Sequence, residues 1–225
     1  MTKKNKTYVA RDPSALGRTV VLWLYLRIGS SVLNLATDVL RLKGLSKFPS
    51  DTPTSMSETL PGMETTDLLT GLASLALLVT LITSGVLTLK WIYRVTMNSH
   101  TLASGVRVSP PWSIGWFFVP FANLFKPFQA VDDAWKISLS PERWRSQSTP
   151  ALLRWWWGLW ITTSILDNAS FRLQMRTHDV GMARFTSGLD VVSDTLWIAL
   201  SLVLIRLVRK LSDQQSSTLS TTAFT

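Results

Sequence analysis

Two charged side chains inside long apolar runs are the residues of this sequence best placed to do chemistry. Arg27 falls within residues 19–40, and Asp194 falls within residues 190–208. Charges at such positions are typical of substrate, ion or proton paths through a bilayer. Their backbones would lie about 13 Å apart along the membrane normal, which predicts no direct ion pair. We interpret Arg27 as snorkelling to the interface and Asp194 as an anion near a helix start; a proton or ion path is the alternative.

No other group of residues predicts a catalytic, cofactor or metal site. The sequence has no cysteine, and its two histidines, His100 and His178, fall on opposite sides of the predicted membrane. It contains no glycine-rich phosphate loop, nucleophile elbow or paired-histidine motif. Asp132 and Asp133 precede Lys136 by about one turn, which is typical of a solvated helix face. We therefore predict a protein that is not an enzyme and holds neither a cofactor nor a metal.

The stretch PPWSIGWFFVPFANLFKPFQAV, which starts at Pro110, mixes aromatic residues with prolines. Its uninterrupted apolar part, residues 112–122, is too short to cross a bilayer. Internal prolines remove backbone donors, and tryptophan prefers the headgroup level. We predict a kinked amphipathic or re-entrant segment over residues 110–137 at the cytoplasmic interface. Its structural or interaction residues would be Trp112, Trp116, Pro120, Asn123, Pro127 and Trp135.

Arg94 and Asn98 are four residues apart and share one face of a predicted helix. Because prolines free carbonyl groups one turn earlier, arginine and asparagine donors could satisfy them. We predict that both side chains donate to the backbone of residues 110–128. A snorkelling arginine and a solvated asparagine are the alternative.

The elements that would position these residues are four apolar runs. Hydrophobic residues make up 46% of the 225-residue chain and charged residues only 16%. A bilayer core needs about 20 apolar residues in a helix. The sequence therefore predicts an all-α integral membrane protein with four transmembrane helices at about 19–40, 68–89, 151–167 and 190–208.

These runs also divide the chain. We predict a basic cytoplasmic N-terminus over residues 1–18 and a single membrane domain over residues 19–210. Residues 211–225 are polar and predict a disordered tail. Four spans place fourteen lysines and arginines on the side of both termini and six on the other side, so both termini are predicted to be cytoplasmic.

Residues 91–138 carry a recognisable signature. It begins with Trp91, Arg94 and Asn98, which form a W-x-x-R-x-x-x-N pattern. The motif WWWGLW at residues 155–160 also belongs to it. The further residues are Ser109, Pro110, Trp112, Gly115, Trp116, Pro120, Asn123, Leu124, Pro127, Trp135 and Ser138. The signature resembles that of a bacterial membrane-protein family, domain of unknown function 4328, over roughly residues 65–210. The resemblance implies a multi-pass protein of the bacterial cytoplasmic (inner) membrane and no particular reaction. Pro111 departs from it, since glycine is expected there.

An internal repeat is a further interpretation. SSVLNLATDVLRL, from Ser30, resembles TSILDNASFRLQM, from Thr163, which aligns Asn34 with Asp167. Two parallel helical hairpins would follow. Chance similarity between leucine-rich hairpins is the alternative.

Two functions from different classes fit these features. The first is a non-catalytic scaffold or accessory subunit that binds membrane lipids, a partner membrane protein or a second copy of itself through the aromatic segment. The second is a small transporter or channel with the broken segment as its gate. The basic and aromatic mixture of residues 126–145 indicates a lipid-headgroup face, so no nucleic-acid partner is predicted.

Overall fold

The computed structural model describes residues 8–55 and 58–222, in which helices are joined by turns and loops. Its α-helices are α1 (Ser14–Leu45), α2 (Glu64–Leu102), α3 (Pro110–Gly115), α4 (Lys126–Leu139), α5 (Ala151–Gln174) and α6 (Val180–Thr222). Short 3₁₀ turns lie at Trp116–Phe118, Ala122–Leu124 and Trp144–Ser146. The described ranges contain no strand, and one isolated bridge pairs Pro53 with Asp179. The predicted all-α class is confirmed.

Three helices of the described chain are long and apolar enough to cross a membrane: α1, α2 and α6 over Val180–Thr221. Their lengths of 32, 39 and 42 residues exceed the roughly 20 residues that a bilayer core requires. The predicted span at 151–167 lies in α5, which is not one of the three. Three such helices are consistent with a multi-pass membrane protein.

The chain divides into two compact units. Unit 1 consists of Met1–Leu22, Ser84–Trp157 and Leu204–Thr225, and unit 2 of Trp23–Thr83 and Gly158–Val203. Each unit therefore draws on segments that are distant in the sequence.

Helix α4 lies in the core of unit 1. Its Val131 and Ile137 are fully buried, as are Trp91 of α2 and Leu207 of α6. The helix begins with Pro127 in its first turn, where a missing backbone N–H costs no helical hydrogen bond. Most of its side chains are buried, so packing rather than propensity holds this 14-residue helix.

Helix α6 continues through the region predicted to be a disordered tail. Residues 211–222 are helical, and the polar side chains of Ser212 and Gln215 are buried in unit 1. Ser212 Oγ accepts a hydrogen bond of 2.9 Å from Trp91 Nε1. The prediction is wrong over these residues because the side chains of Ser212 and Gln215 bind another helix instead of water. Residues 223–225 of the tail, and residues 1–7 of the predicted basic N-terminus, lie outside the described residues.

In unit 2, α6 begins ten residues before Asp190. Asp179 Oδ1 accepts a hydrogen bond of 2.8 Å from the Met182 backbone N–H, which is N-cap geometry. Arg184 Nη2 donates to the Leu45 carbonyl over 2.7 Å and also to the Phe48 carbonyl. These contacts tie the start of α6 to the end of α1.

Candidate functional site

Arg94 and Asn98 bind partners other than the predicted ones. Asn98 Oδ1 accepts from the Arg11 backbone N–H over 2.9 Å, and its Nδ2 donates to the Arg11 carbonyl over 2.7 Å and to Gln215 Oε1 over 2.8 Å. Arg94 Nη1 donates to the Asp12 carbonyl over 3.2 Å. The prediction that they donate to residues 110–128 is wrong. Their shared face of α2 meets the segment before α1, whose backbone groups have no helical partners.

The loop before α3, which contains Arg107, is held by two acids of α4. Asp133 Oδ1 accepts from Arg107 Nε over 2.8 Å and from Nη2 over 2.5 Å, and its Oδ2 accepts from the Arg107 backbone N–H over 3.0 Å. Asp132 accepts from Arg107, from Lys136 over 2.8 Å and from Thr149 over 2.8 Å. Both aspartates are buried, so the interpretation as a solvated helix face is wrong.

This acid pair also fixes the charge of Arg107. Hydrogen bonding to Asp133, with a smaller contribution from Asp132, raises the pKa of Arg107 against the effect of its own desolvation. The guanidinium therefore stays charged, and its fork geometry suits a carboxylate.

The remaining predicted interaction residues differ in their solvent exposure. Trp112 is half exposed and packs against Trp116, with ring centroids 4.5 Å apart, and Pro120 is exposed. Asn123 is half-buried, whereas Pro127 and Trp135 are buried. The last two residues thus belong to the core of unit 1.

Three phenylalanines complete the exposed set. Phe118, Phe121 and Phe125 are 74%, 83% and 63% exposed. We call Trp112, Phe118, Phe121 and Phe125 the aromatic edge. The phenylalanines are not among the predicted residues, although their spacings of three and four are a visible signal.

The backbone of the aromatic edge is irregular but held. Trp157 Nε1 donates to the Leu124 carbonyl over 3.0 Å. Phe121 has φ of 61°, in the left-handed region that costs a bulky residue energy. An exposed phenylalanine thus occupies a position that glycine would fill with less strain.

Unit 1 also contains a basic cavity. It measures about 270 Å³ and is lined by Arg11, Leu16, Lys90, Tyr93, Arg94, Met97 and Ile114. In the described part of the chain, none of its three cations forms a salt bridge. Ile114 belongs to α3, which also carries Trp112 of the aromatic edge.

A second, polar cavity of about 300 Å³ lies in unit 2, and both predicted intramembrane charges line it. Arg27 is only 2% exposed, so it does not snorkel, and Asp194 lies 14 residues into α6, far from the helix start. Both interpretations are wrong, because α6 starts earlier than the apolar run and the protein itself encloses Arg27. Among the salt bridges of the described residues, none joins these two side chains.

Most of the other residues that line the polar cavity are polar. Among its other lining residues are Asn34, Asp38, Thr70, Ser74, Asp167 and Asp190. Arg27, Asn34 and Asp38 are seven and four residues apart, so they lie on one stripe of α1. This periodicity of polar residues inside apolar runs is the sequence signal that could have found the cavity.

The acids of this cavity are hydrogen-bonded to neutral side chains. Asn34 Nδ2 donates to Asp194 Oδ2 over 2.8 Å and to Asp38 Oδ2 over 3.0 Å. Asp167 Oδ1 accepts from Ser193, and its Oδ2 accepts from Trp197 Nε1 over 2.9 Å. Within the described ranges, no group of three or more His, Cys, Asp or Glu side chains is arranged to hold a metal ion.

Comparison with known proteins gives a family and no activity. The sequence profile described as "Domain of unknown function (DUF4328)" matches residues 56–213. No curated protein and no solved structure matches the chain.

Proposed function

Since the chain belongs to the DUF4328 family, we propose that it is a non-catalytic membrane protein that binds anionic phospholipid through unit 1. The observation that carries this proposal is the basic cavity, where Arg11, Lys90 and Arg94 line a largely apolar space together with Ile114 of α3. In this function the protein acts as a scaffold or accessory subunit, and lipid is its first partner. A partner membrane protein or a second copy would meet the same surface.

The charges of the basic cavity favour an anion. Three cations that form no salt bridge with any described residue repel one another, and a phosphate group would relieve that repulsion. Its wall of Leu16, Met97 and Ile114 suits an acyl chain better than a hydrated inorganic ion. A phospholipid of negative charge supplies both parts.

The aromatic edge supports the same partner. Phe118, Phe121 and Phe125 expose most of their surface, which in water would be a liability. Aromatic side chains at the headgroup level of a bilayer are favourable. We propose that residues 110–125 form an amphipathic or re-entrant interfacial segment on the cytoplasmic side of a bacterial inner membrane.

A variant of the strained residue Phe121 can test the role of its side chain in lipid binding separately from its role in folding. Replacement by glycine removes an aromatic anchor and also relieves a positive φ that costs on the order of 1 kcal/mol or more. We therefore expect Phe121→Gly to weaken lipid binding without lowering the thermal midpoint. Loss of stability in this variant would mean that the side chain serves folding.

Phosphatidylglycerol should bind the purified protein more tightly than phosphatidylcholine does, and the basic cavity should account for the difference. A variant with Arg11→Gln, Lys90→Gln and Arg94→Gln removes about 3 kcal/mol of attraction, roughly 100-fold in affinity. Native mass spectrometry of the full-length protein in detergent, with each lipid added, measures the retained lipid.

The matched control carries Lys43→Gln, Lys47→Gln and Arg176→Gln, three exposed cations of unit 2. Equal loss of phosphatidylglycerol in both triple variants would show that net charge alone attracts lipid, and the proposal would fail. Glycerol 3-phosphate distinguishes the sources of the anion. If it competes as well as the lipid does at equal concentration, the cavity binds a soluble phosphate.

We further propose four spans, with α5 as the fourth, and both termini in the cytoplasm. The 24 residues of α5 would extend about 36 Å, enough for a bilayer core. In a chain without cysteine, Ser50→Cys should react with an impermeant thiol reagent in intact cells, whereas Ser146→Cys should not. Both positions are exposed, so access to the membrane side alone decides the labelling. Reaction of the Ser146 variant would overturn this orientation.

A small transporter or channel is the second candidate function, and the polar cavity is the observation that favours it. Ionisable side chains inside candidate spans are expected to face such a space. Uptake of solute by proteoliposomes, compared with empty liposomes, tests this candidate. Two parallel hairpin repeats would suit it, since their alignment pairs Asn34 with Asp167, which both line the cavity.

A further inference from the structure

Arg27 is a buried cation with unused hydrogen-bond donors. It is 2% exposed, and its Nε and Nη1 have no hydrogen-bond partner in the described residues. Thr70 Oγ1, which belongs to the same polar cavity, is also buried and has no hydrogen-bond partner in the part of the chain that the structure describes. A buried charge without hydrogen bonds is costly, so the cavity has to supply a partner for it. Guanidinium groups bind carboxylates especially well.

The neighbours of Arg27 hold the guanidinium in place. Its central carbon lies 4.8 Å from the centroid of the Trp197 ring, within range of a cation–π interaction. Trp197 is itself fixed by the hydrogen bond from its Nε1 to Asp167. Asp167 also accepts a hydrogen bond from Ser193, so the acid is held on both oxygens. This series of contacts orients Arg27 without pairing its charge.

The other end of the cavity presents two acids that share one amide. Asn34 donates from a single nitrogen to Asp38 Oδ2 and to Asp194 Oδ2, so the two carboxylates are close together. Asn34 Oδ1 accepts from Ser74 over 3.1 Å, which fixes the orientation of the amide. In the described contacts, Oδ1 of Asp38 and Oδ1 of Asp194 accept no hydrogen bond. Two neighbouring carboxylates repel each other, and either a shared proton or a cation between them relieves that repulsion.

The two ends are close enough for one small molecule. Arg27 and Asn34 are two helical turns apart on the same face of α1, about 10 Å along its axis. The long arginine side chain can shorten that distance. A cavity of about 300 Å³ has room for the equivalent of roughly ten water molecules.

We propose that the polar cavity of unit 2 binds a small zwitterion, with its carboxylate on Arg27 and its ammonium between Asp38 and Asp194. The ligand class is an amino acid of about ten non-hydrogen atoms or fewer. This site is independent of the lipid site in unit 1, since the two share no residue.

The experiment uses the full-length protein in lipid nanodiscs and isothermal titration calorimetry. The zwitterionic probes are glycine, β-alanine and γ-aminobutyrate, in which the charges are progressively further apart. The matched single-charge probes are propionate and propylamine. We expect the best zwitterion to bind roughly tenfold more tightly, or better, than either single-charge probe, because each of those leaves one buried charge unpaired.

Two variants assign the ends of the ligand. Arg27→Gln should weaken the best zwitterion roughly tenfold or more and leave propylamine unchanged, whereas Asp194→Asn should weaken both. Arg18→Gln is the matched control, because Arg18 is an exposed arginine of the same helix. This variant should bind the best zwitterion and propylamine as tightly as the wild type does.

The series of probes on the wild-type protein decides the proposal even if a variant fails to fold. Equal affinity for propylamine and the zwitterions would identify a simple cation site and overturn it. Equal affinity for propionate would identify an anion site and overturn it as well. Absence of binding by every probe would mean that the cavity holds only water, which also overturns the proposal.

Discussion

Replacement of Gln215 by alanine should destabilise the protein by about 2–4 kcal/mol, from lost hydrogen bonds and an internal cavity. Its side chain is fully buried. Its Oε1 accepts from Asn98, and its Nε2 donates to the Val95 carbonyl over 3.1 Å and to Ser138 Oγ over 3.3 Å. One residue of the region predicted as a disordered tail thereby joins α2, α4 and α6. The free energy of unfolding in mild detergent measures the effect.

Ser217→Ala is the matched control, because Ser217 is exposed on the same stretch of α6 and the change should cost less than about 0.5 kcal/mol. The double variant with Asn98→Ala tests the contact itself. Since Asn98 and Gln215 share a hydrogen bond of 2.8 Å, their effects should be non-additive by about 0.5 kcal/mol or more. Unaltered stability in Gln215→Ala would contradict the structure of α6 beyond residue 211.

Asp133→Asn should lower the free energy of unfolding by about 2–3 kcal/mol, less than for a fully buried pair because Arg107 is partly exposed. The asparagine amide would present donors to the Arg107 guanidinium and lose its charge-assisted hydrogen bonds. The backbone N–H of Arg107 also binds this carboxylate, so the loop over residues 103–109 should loosen. Amide hydrogen exchange of that loop, together with unfolding, measures both effects.

Glu142→Gln provides the control for Asp133→Asn, since Glu142 is an exposed acid that follows α4. It should change neither the unfolding free energy nor the exchange of residues 103–109. Arg107→Lys retains the charge but loses the Nε donor, so it should fall between the wild type and Asp133→Asn. If lysine is equivalent to arginine, charge alone holds the loop and the hydrogen-bond geometry is unimportant.

The positions of the apolar helices could be predicted from the sequence, but the residues that contact one another could not. The apolar runs at 19–40, 68–89 and 190–208 lie in the three helices able to cross a membrane, because about 20 apolar residues suffice to indicate a span. Helix ends were less predictable. Helix α6 starts at Val180 and ends at Thr222, beyond the apolar run, because its terminal polar residues find partners in the fold.

The candidate sites show the same division. Trp112 is half exposed, whereas Pro127 and Trp135 are buried in a core that the sequence does not reveal. Arg94 and Asn98 share a face, as helical spacing requires, yet the segment that meets this face is residues 11–12. The spacing of residues along a helix determines which side chains share a face. It does not determine which other element packs against that face.

The sequence by itself determined the helical class, the apolar runs, the family signature and the presence of charges inside candidate spans. Only the tertiary structure decided that Arg27 is enclosed, that Asn34 joins two acids from different helices, and that Gln215 is a core residue. The physical reason is that helix propensity and hydrophobic periodicity depend only on residues within a single helix. Burial of a polar group depends on partners up to 160 residues away, which only packing brings together.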